Sequence, residues 1–492
     1  MTHDRHWNRR EFLKTLSVGA TGMVLLPLVE GCAPLARLGA ARRDPWEELP
    51  GILARIVPPT FPSRDYSVVQ FGAVGDGTTD CSDAFREAIA SCNMNGGGRV
   101  VVPPGRYLTG PIHLRSKVNL HVMEGATILF ATDPARYLPA VHTRWEGVEL
   151  MGYSPLVYAF EQDDIAITGR GTLDGQAGTS NWWPWKGGTQ NGWKAGQPNQ
   201  GAARAKLFAM AEQGVPVAQR TFGEGSYLRP QFIQPYRCRN VLIEGVTIVR
   251  SPMWEIHPVL CTNVTVRGVT INSHGPNNDG CDPESCRDVL IEGCTFDTGD
   301  DCIAIKSGRN ADGRRLAAPS QYIVVRECRM KDGHGGVTIG SEISGGVHHV
   351  YAEKCVMDSP NLDRALRLKN NAARGGVLEH IYMRDVQVGE VADAVLQVDF
   401  YYEEGKNGAF MPVVRDLEMR RVTSRKSQYG IYARAFEGST IADVRLLDCR
   451  FDGVAKGNVV EGVQGLVVEQ VLVNGREVSA SDVMTRRAGG GA

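Results

Sequence analysis

The second half of the chain alternates between apolar and polar residues in short units of nine. Each unit is rich in Val and Ile, as in NVLIEGVTI, which begins at Asn240, and DVLIEGCTF, which begins at Asp288. This alternation is typical of a short strand that buries one face. Successive units start 22 to 36 residues apart, at Asn240, Asn263, Asp288, Tyr322, His349, His380, Asp416, Asp443 and Gly465.

The intervals between these units indicate how the strands are connected. None leaves room for an amphipathic helix of about ten residues or more, which argues against βαβ units. Parallel strands cannot be joined by two-residue hairpins, and a coil of this length provides the longer connection that they need. We therefore predict an all-β fold, a single-stranded parallel β-helix (a solenoid) with one coil per repeat.

The ends of a solenoid expose apolar core and unpaired strand edges, so they need caps. Residues 71–107 offer a short N-terminal helical cap, in which DAFREAIASC has helical periodicity and Asp80 or Ser82 is a candidate N-cap residue. We expect the β-helix to span residues 66–478, between an N-terminal extension or linker at 33–65 and a flexible tail at 479–492. The strand pattern disappears at about 175–227, and such a long insertion is uncommon unless it is functional or disordered.

The chain contains 12 cysteines, and several of them fit the repeat. The seventh position of the nine units holds only Val or Cys, with Cys294, Cys328, Cys355 and Cys449 as the cysteines. A slot shared by these two residue types predicts an inward stack, in which free Cys acts as a small hydrophobic residue. The pattern assigns no role to Cys281 or Cys286.

Residues 1–32 resemble a twin-arginine export signal. Arg9 and Arg10 precede an apolar run from Leu16 that is too short for a membrane span. VEGC, which ends at Cys32, resembles a lipoprotein box with Glu30 at an unusual position. The sequence does not distinguish lipid attachment at Cys32 from cleavage by an ordinary signal peptidase. We expect a periplasmic, lipid-anchored or secreted protein, with no membrane contact other than such an anchor.

Charge narrows the range of partners. Lys and Arg number 54 and Asp and Glu number 55, for a net charge of −1. This balance provides no overall field that favours nucleic acid, so we predict no nucleic-acid partner. The sequence does not indicate the oligomeric state.

Charged residues recur after the strands of four successive repeats. Asp279, the pair Asp300 and Asp301, His334, and the Arg367–Lys369 pair all follow the strands of their coils. Because neighbouring strands lie about 4.8 Å apart, these groups should line one groove, with carboxylates about 5 Å from each other. Carboxylates at that range push one pKa upward, and the resulting mixture of acid and carboxylate suits the hydrolysis of a glycosidic bond.

A bend is needed for both Asp300 and Asp301 to enter one groove, because adjacent strand residues point to opposite faces, and Gly299 makes that bend plausible. The alternative is that these acids only form turns through their own backbone hydrogen bonds.

Four short blocks in order resemble the signatures of glycoside hydrolase family 28, the polygalacturonases. They are NNDGCD from Asn277, GDDC from Gly299, GHG from Gly333 and RLK from Arg367, and the resemblance extends over residues 66–473. It implies a right-handed parallel β-helix that hydrolyses α-1,4-linked galacturonan in pectic polysaccharide, with inversion and without a metal or other cofactor.

The resemblance also implies catalytic roles. Asp300 matches the general acid, Asp279 and Asp301 match the carboxylates that activate water, and His334 matches the histidine that supports protonation of the acid. The distance of about 5 Å suggested by the coil spacing corresponds to retaining enzymes rather than inverting ones. We follow the family on this point.

Four further residues match substrate-binding positions of the family. Arg367 and Lys369 match the residues that hold a galacturonate carboxylate, and Asn277 matches the Asn that orients the sugar or the water. Tyr402 is preferred over Tyr401 as the family's tyrosine.

The insertion favours exo action, because a loop that closes one end of the groove restricts cleavage to chain ends. Its tryptophans either stack on sugars or form a small core of their own; they are Trp182, Trp183, Trp185 and Trp193. The alternatives are a rhamnogalacturonan or xylogalacturonan hydrolase, a pectate lyase that uses Ca²⁺ and an Arg base, and a non-catalytic carbohydrate-binding solenoid.

Overall fold

The first part of each nine-residue unit forms a strand of one long sheet, here called sheet 1, in a computed structural model that describes residues 43–484. The last part of the unit begins a strand of a second sheet, so each unit contributes to two strands and not to one as the sequence predicted. All pairs of neighbouring strands in it are parallel; Val264, for example, lies opposite Val289 of the next coil. Its strands are Asp65–Ser67, Gly98–Val102, Val118–Val122, Asp163–Gly169, Arg239–Glu244, Thr262–Arg267, Arg287–Glu292, Ser320–Arg326, Val347–Glu353, Val377–Arg384, Val413–Arg420, Thr440–Leu447, Val463–Gln464 and Val467–Glu469.

Each coil continues from sheet 1 into sheet 2. The strands of sheet 2 are parallel apart from the last, which folds back antiparallel. They are Asp76–Asp80, Gly105–Thr109, Ala126–Phe130, Thr172–Asp174, Thr247–Val249, Thr270–Ser273, Thr295–Thr298, Arg329–Met330, Val356–Met357, Gln387–Glu390, the start of Thr423–Arg434, Arg450–Phe451, Val471–Val473 and Arg476–Val478.

Sheet 3 completes the coil. Its strands are Ile112–His113, Val157–Phe160, Ile233–Tyr236, Ile303–Ile305, Val337–Ile339, Arg364–Lys369, Ala394–Asp399, the end of Thr423–Arg434 and Val454–Glu461. Parallel bridges through Ile256 and Cys281 connect Ile233 to Ile303. The prediction of a right-handed parallel β-helix is confirmed.

The interior of the solenoid contains the Val/Cys stack. All nine residues at the seventh position are at most 2% exposed. Cys238, Cys261 and Cys286 form a second stack. The backbone N–H of Cys238 donates to the sulfur of Cys261, and the backbone N–H of Cys261 donates to the sulfur of Cys286. Cys281 is also buried, and every cysteine in the described part of the chain is free. The core-packing prediction is therefore confirmed, and it extends to Cys281 and Cys286.

The N-terminal part of the described chain covers two surfaces of the solenoid. The 3₁₀ turn Pro45–Glu47 and helix α1 (Leu49–Arg55) place Trp46 and Ile52 against the outer face of sheet 1. Helix α2 (Ser82–Met94) packs its apolar face against the first coils as a cap. The N-cap position of α2 is Cys81, not Asp80 or Ser82. The carboxylate of Asp80 nevertheless accepts the backbone N–H of Ser82, the first residue of the helix.

The remaining elements lie outside the three sheets. They are helices α3 (Gly201–Glu212), α4 (Asn310–Leu316) and α5 (Ala480–Val483), the hairpin Val141–Trp145 and Val148–Gly152 with strand Thr221–Phe222, and 3₁₀ turns Val68–Phe71, Pro134–Tyr137, Trp183–Lys186, Thr189–Asn191 and Val217–Gln219. The start of the segment expected to be a flexible tail thus forms α5, whose Val483 is buried. The proposed export signal, with Arg9, Arg10 and Cys32, lies outside the described residues. Within residues 43–484, no helix has the length and apolar character needed to cross a membrane.

Candidate active site

The predicted acids occupy the same turn, between sheet 2 and sheet 3, in successive coils. Asp279 lies in one coil, Asp300 and Asp301 in the next, and His334 in the one after. One oxygen of each of the three carboxylates lies within 4.8 Å of the others. The prediction that the repeat brings these acids together is therefore confirmed.

The backbone bends at Gly299 and Asp300, as the sequence predicted. A Cβ atom at position 299 would lie 2.5 Å from the carbonyl oxygen of Gly275, so only glycine fits this close approach. The backbone N–H of Asp301 donates to Oδ1 of Asp300 at 3.0 Å, and the Thr298 hydroxyl donates to the Asp300 carbonyl at 2.8 Å. These bonds hold both side chains at the groove.

Asp301 is fully buried and is bound by the RLK pair. Lys369 Nζ donates to its Oδ2 at 2.7 Å, Arg367 donates to its Oδ1 at 3.2 Å, and the Thr338 hydroxyl donates to Oδ1 at 2.9 Å. Burial by itself raises the pKa of Asp301, but the positive charges of Lys369 and Arg367 outweigh it and hold that pKa well below its usual range. Asp301 is therefore ionised.

Asp300 is paired with His334. Nδ1 of His334 lies 3.0 Å from Oδ1 of Asp300, and this hydrogen bond raises the pKa of His334 to about 9. Burial raises the pKa of Asp300, but the hydrogen bond from His334 outweighs this effect and the net shift is downward. The lowered pKa of Asp300 and the raised pKa of His334 both favour the proton on His334 in the unliganded chain.

Asp279 has the opposite shift. Burial, followed by the charge of Asp300, raises the pKa of Asp279 well above its usual range. The ammonium of Lys306 lies 3.6 Å from Oδ2 of Asp279 and opposes that shift. The three carboxylates thus titrate as a coupled set in which Asp279 holds a proton most readily.

Lys306 is a site residue that the sequence analysis missed. It is 2% exposed, it lies 3.3 Å from Glu342, and its ammonium is 4.3 Å from the centre of the Trp254 ring. The alternation of residues in IAIKSG could have predicted this position. Ile303 and Ile305 point into the core, so residue 306 of the same strand pattern faces the groove.

Asn277 is fixed by a buried arginine. Arg229, which is fully buried, donates to Asn277 Oδ1 at 2.8 Å and to the carbonyl oxygens of Pro252 and Pro276 at 2.8 and 2.6 Å. Burial lowers the pKa of Arg229 to about 10, so it remains charged at neutral pH. Because Arg229 directly follows the insertion, it links that segment to the first signature block.

Tyr402 faces the same cavity as Asp279 and Asp300, and its ring centre is 5.5 Å from Lys369 Nζ. Tyr401 instead packs against Phe436, with their ring centres 5.7 Å apart. The geometry agrees with the preference for Tyr402 as the site tyrosine.

The insertion forms one wall of this cavity, which has a volume of about 170 Å³. Lys186 and Arg204 of the insertion line it together with Asp279 and Asp300. Trp182 is buried against Tyr137 and Trp185. It belongs to the main core of the solenoid, so the insertion does not bury it in a small core of its own.

Trp183 fastens the insertion to the solenoid. Its ring nitrogen donates to the carbonyl of Ser251 at 2.9 Å, and its ring fills the space beside Gly275. The fourth tryptophan, Trp193, donates to the carbonyl of Gln197 within the insertion.

Within residues 43–484, two groups of side chains have a spacing that could hold a metal ion. One is the cluster of Asp279, Asp300 and Asp301, and the other is formed by His274, Asp297 and Asp332 near the surface. Lys369 and Arg367 already neutralise Asp301, and Lys306 lies beside Asp279, so the first cluster does not favour a further cation.

Comparison with known proteins identifies relatives over most of the chain. The family described as "Glycosyl hydrolases family 28" matches residues 222–465, and "Rhamnogalacturonase A/epimerase, pectate lyase-like" matches residues 66–122. A probable polygalacturonase from Vitis vinifera is 30% identical over 402 residues, which cover 77% of this chain and 74% of the relative.

Two further similar proteins are described as exo-acting. The exo-poly-alpha-D-galacturonosidase of Dickeya chrysanthemi is 27% identical over 69% of this chain and 57% of its own length. The crystal structure of a hyperthermoactive exopolygalacturonase from Thermotoga maritima is 48% identical, with a TM-score of 0.86, and the match covers 88% of this chain and 96% of that one.

Proposed function

This chain belongs to glycoside hydrolase family 28, and on that premise we propose that it hydrolyses α-1,4-linked galacturonan from a chain end. It is a glycoside hydrolase of the polygalacturonase type, and its substrate is pectic. The observation that carries exo action is the shared cavity: Lys186 and Arg204 of the insertion line the same small space as Asp279 and Asp300. We infer that a wall at that position admits a chain end and blocks a chain that would continue past it.

The proton for the leaving oxygen comes from the Asp300–His334 pair. A galacturonate carboxylate that enters beside Asp300 adds negative charge and raises the pKa of Asp300. His334 then passes its Nδ1 proton across the 3.0 Å hydrogen bond to Asp300, which donates a proton to the glycosidic oxygen as that bond breaks.

Water attack relies on Asp301 and Asp279. Asp301 is held ionised by Lys369 and Arg367 and can orient a water molecule from the face opposite the leaving group. Asp279 accepts a proton from this water once it is itself ionised, and Lys306 favours that state. Attack from this face gives a product with inverted configuration.

Recognition of galacturonate uses cations next to the acids. Arg367 uses one N–H to bind Asp301, and its planar guanidinium has further donors for a substrate carboxylate. Tyr402 lies beside Arg367 and Lys369 and provides a ring at the same wall.

The decisive experiment is digestion of polygalacturonate in EDTA, with chromatography of the products over time. We expect short saturated products from the first time points and a slow decrease in viscosity, because cleavage occurs at chain ends. Rapid loss of viscosity would show internal cleavage. Products with unsaturated ends, or activity that EDTA abolishes, would refute metal-independent hydrolysis.

An Asp300→Asn preparation is the matched control for contaminating activity. We expect it to lose activity by about 10² to 10⁴-fold while retaining the circular dichroism spectrum and melting temperature of the wild type. Full activity in this variant would refute the role of Asp300. Digests of rhamnogalacturonan and xylogalacturonan under the same conditions test the alternative substrates.

We also propose that the protein is exported by the twin-arginine route. The support is the Arg9–Arg10 pair and the apolar run that follows it. Replacement of both arginines by lysine should retain a fused reporter in the cytoplasm, and unchanged export would contradict the proposal. Metabolic labelling with a fatty acid, compared between the wild type and Cys32→Ala, tests the lipid anchor.

A further inference from the structure

Lys186 stands at a fixed position in the insertion wall. It ends the 3₁₀ turn Trp183–Lys186, which is anchored by the buried Trp182 and by the hydrogen bond from Trp183 to Ser251. Lys186 is partly buried and lines the cavity that contains Asp279 and Asp300. Its backbone position is therefore set by the packing of the insertion on the solenoid.

The ammonium of Lys186 differs from the other cations of this cavity because it has no anionic partner. Arg204 binds Glu146 at 2.7 Å, Lys306 binds Glu342 at 3.3 Å, and Lys369 binds Asp301 at 2.7 Å. Among residues 43–484, no carboxylate pairs with Lys186 and no hydrogen bond reaches its side chain. Burial lowers the pKa of Lys186; the charge of Glu146, and more weakly that of Asp300, opposes the shift, and the cations Arg229 and Arg204 add to it. An anion that enters the cavity would give this ammonium the direct partner that it lacks.

Arg367 and Lys369 form the second cation site of the groove. Along the solenoid axis they lie on the opposite side of Asp300 from Lys186. The turn that carries Lys186 contacts Gly275, one coil before Asp300, whereas Arg367 and Lys369 belong to a strand two coils after it. Galacturonan carries a carboxylate on every sugar. A bond positioned at Asp300 therefore has one carboxylate on each side. Lys369 lines the cavity together with Lys186, whereas Arg367 lies outside the cavity lining and is the candidate for the carboxylate on the far side.

We propose that Lys186 binds the carboxylate of the sugar unit on the insertion side of the scissile bond, the unit that the enzyme releases. This inference rests on the proposed chain-end function and gives it a specificity: the released unit must be unesterified galacturonate. The cavity of about 170 Å³ is well below the roughly 300–1,000 Å³ of a site for a drug-sized ligand. It therefore suits a single sugar.

The test compares Lys186→Met with the wild type on trigalacturonate. We expect kcat/KM to fall about 10- to 100-fold, mainly through KM, because one charge-assisted hydrogen bond is lost. Lys186→Arg should recover most of the loss. Lys194→Met, which alters an exposed lysine of the same insertion outside the cavity, is the matched control and should equal the wild type.

The second half of the test changes the substrate. The substrate is trigalacturonate methyl-esterified only on the released unit. We expect this ester to lower kcat/KM of the wild type by a factor similar to that of the Lys186→Met substitution, and to lower kcat/KM of Lys186→Met only slightly. If the ester weakens the wild type and Lys186→Met by the same factor, the proposed contact is refuted.

A binding measurement distinguishes an error in the role of Lys186 from an error in the proposed chain-end function. In the Asp300→Asn background, calorimetry measures how Lys186→Met changes the affinity for trigalacturonate without any turnover. Internal cleavage by the wild type would refute the chain-end function alone. Unchanged affinity in Lys186→Met would refute the role of Lys186 alone.

Discussion

Nδ1 of His334 lies 3.0 Å from Oδ1 of Asp300, and this contact gives the site a cation that persists above neutral pH. The hydrogen bond to Asp300 raises the pKa of His334 to about 9. We therefore predict that the NMR signals of His334 titrate with a midpoint near pH 9 in the wild type. In Asp300→Asn the midpoint should fall toward the ordinary value of about 6.5. A midpoint that is the same in both proteins would show that Asp300 does not set the protonation of His334.

Lys306 should control the acid limb of the pH–rate profile. Its ammonium lies 3.6 Å from Asp279 and lowers the pKa of that carboxyl, against the upward shift caused by burial. If catalysis requires ionised Asp279, Lys306→Met moves the acid limb of kcat/KM to higher pH. Lys306→Arg retains the charge and should leave the limb close to its original position. A uniform loss of activity in Lys306→Met, with no displacement of the limb, would indicate a structural role only.

The repeat was sufficient to place the catalytic acids because the coil spacing is fixed by strand pairing. Asp279, Asp300 and Asp301 come together for that reason alone, and the bend at Gly299 was readable from the sequence. Lys306 was also readable in principle, from its alternate position in a strand.

Other features of the site depend on contacts that no sequence pattern encodes. Lys186 reaches the cavity only because Trp183 packs against Gly275, and this depends on how an irregular insertion folds. The distribution of protons depends on distances of a few ångströms, such as the contact of His334 with Asp300, and no sequence pattern gives these distances.

The configuration of the first product distinguishes two interpretations of the acid cluster. Oxygens of Asp279, Asp300 and Asp301 lie within 4.8 Å of one another, closer than the roughly 6.5–9.5 Å associated with inverting enzymes. The family nevertheless implies inversion, and a water molecule between the bound sugar and Asp301 accounts for it. We predict that NMR of a fresh digest detects the β-anomer of the new reducing end first, followed by mutarotation. Initial appearance of the α-anomer would instead support a covalent intermediate.

Arg229 should affect both stability and turnover, whereas Asn277 should affect turnover alone. Arg229→Met leaves the carbonyl oxygens of Pro252 and Pro276 without their donor, at a cost of roughly 1–3 kcal/mol for each buried acceptor. We expect a lower melting temperature and a lower kcat, because Asn277 is no longer held. Asn277→Ala keeps the Arg229 contacts to both prolines, so its melting temperature should stay near that of the wild type while kcat falls. A fully active Arg229→Met variant would contradict this linkage.

Disulfide chemistry should contribute nothing to the stability of the solenoid core. Cys328 is 2% exposed and stacks between Cys294 and Cys355 in the slot that elsewhere holds valine, and all three are free. Cys328→Val is a nearly volume-conserving change and should alter the free energy of unfolding by less than about 1.5 kcal/mol. Cys328→Ser places a hydroxyl in the same apolar stack and should cost about 1–3 kcal/mol. Thermal unfolding with and without dithiothreitol provides the control, since a disulfide among these cysteines would lower the melting temperature on reduction, and we expect no change.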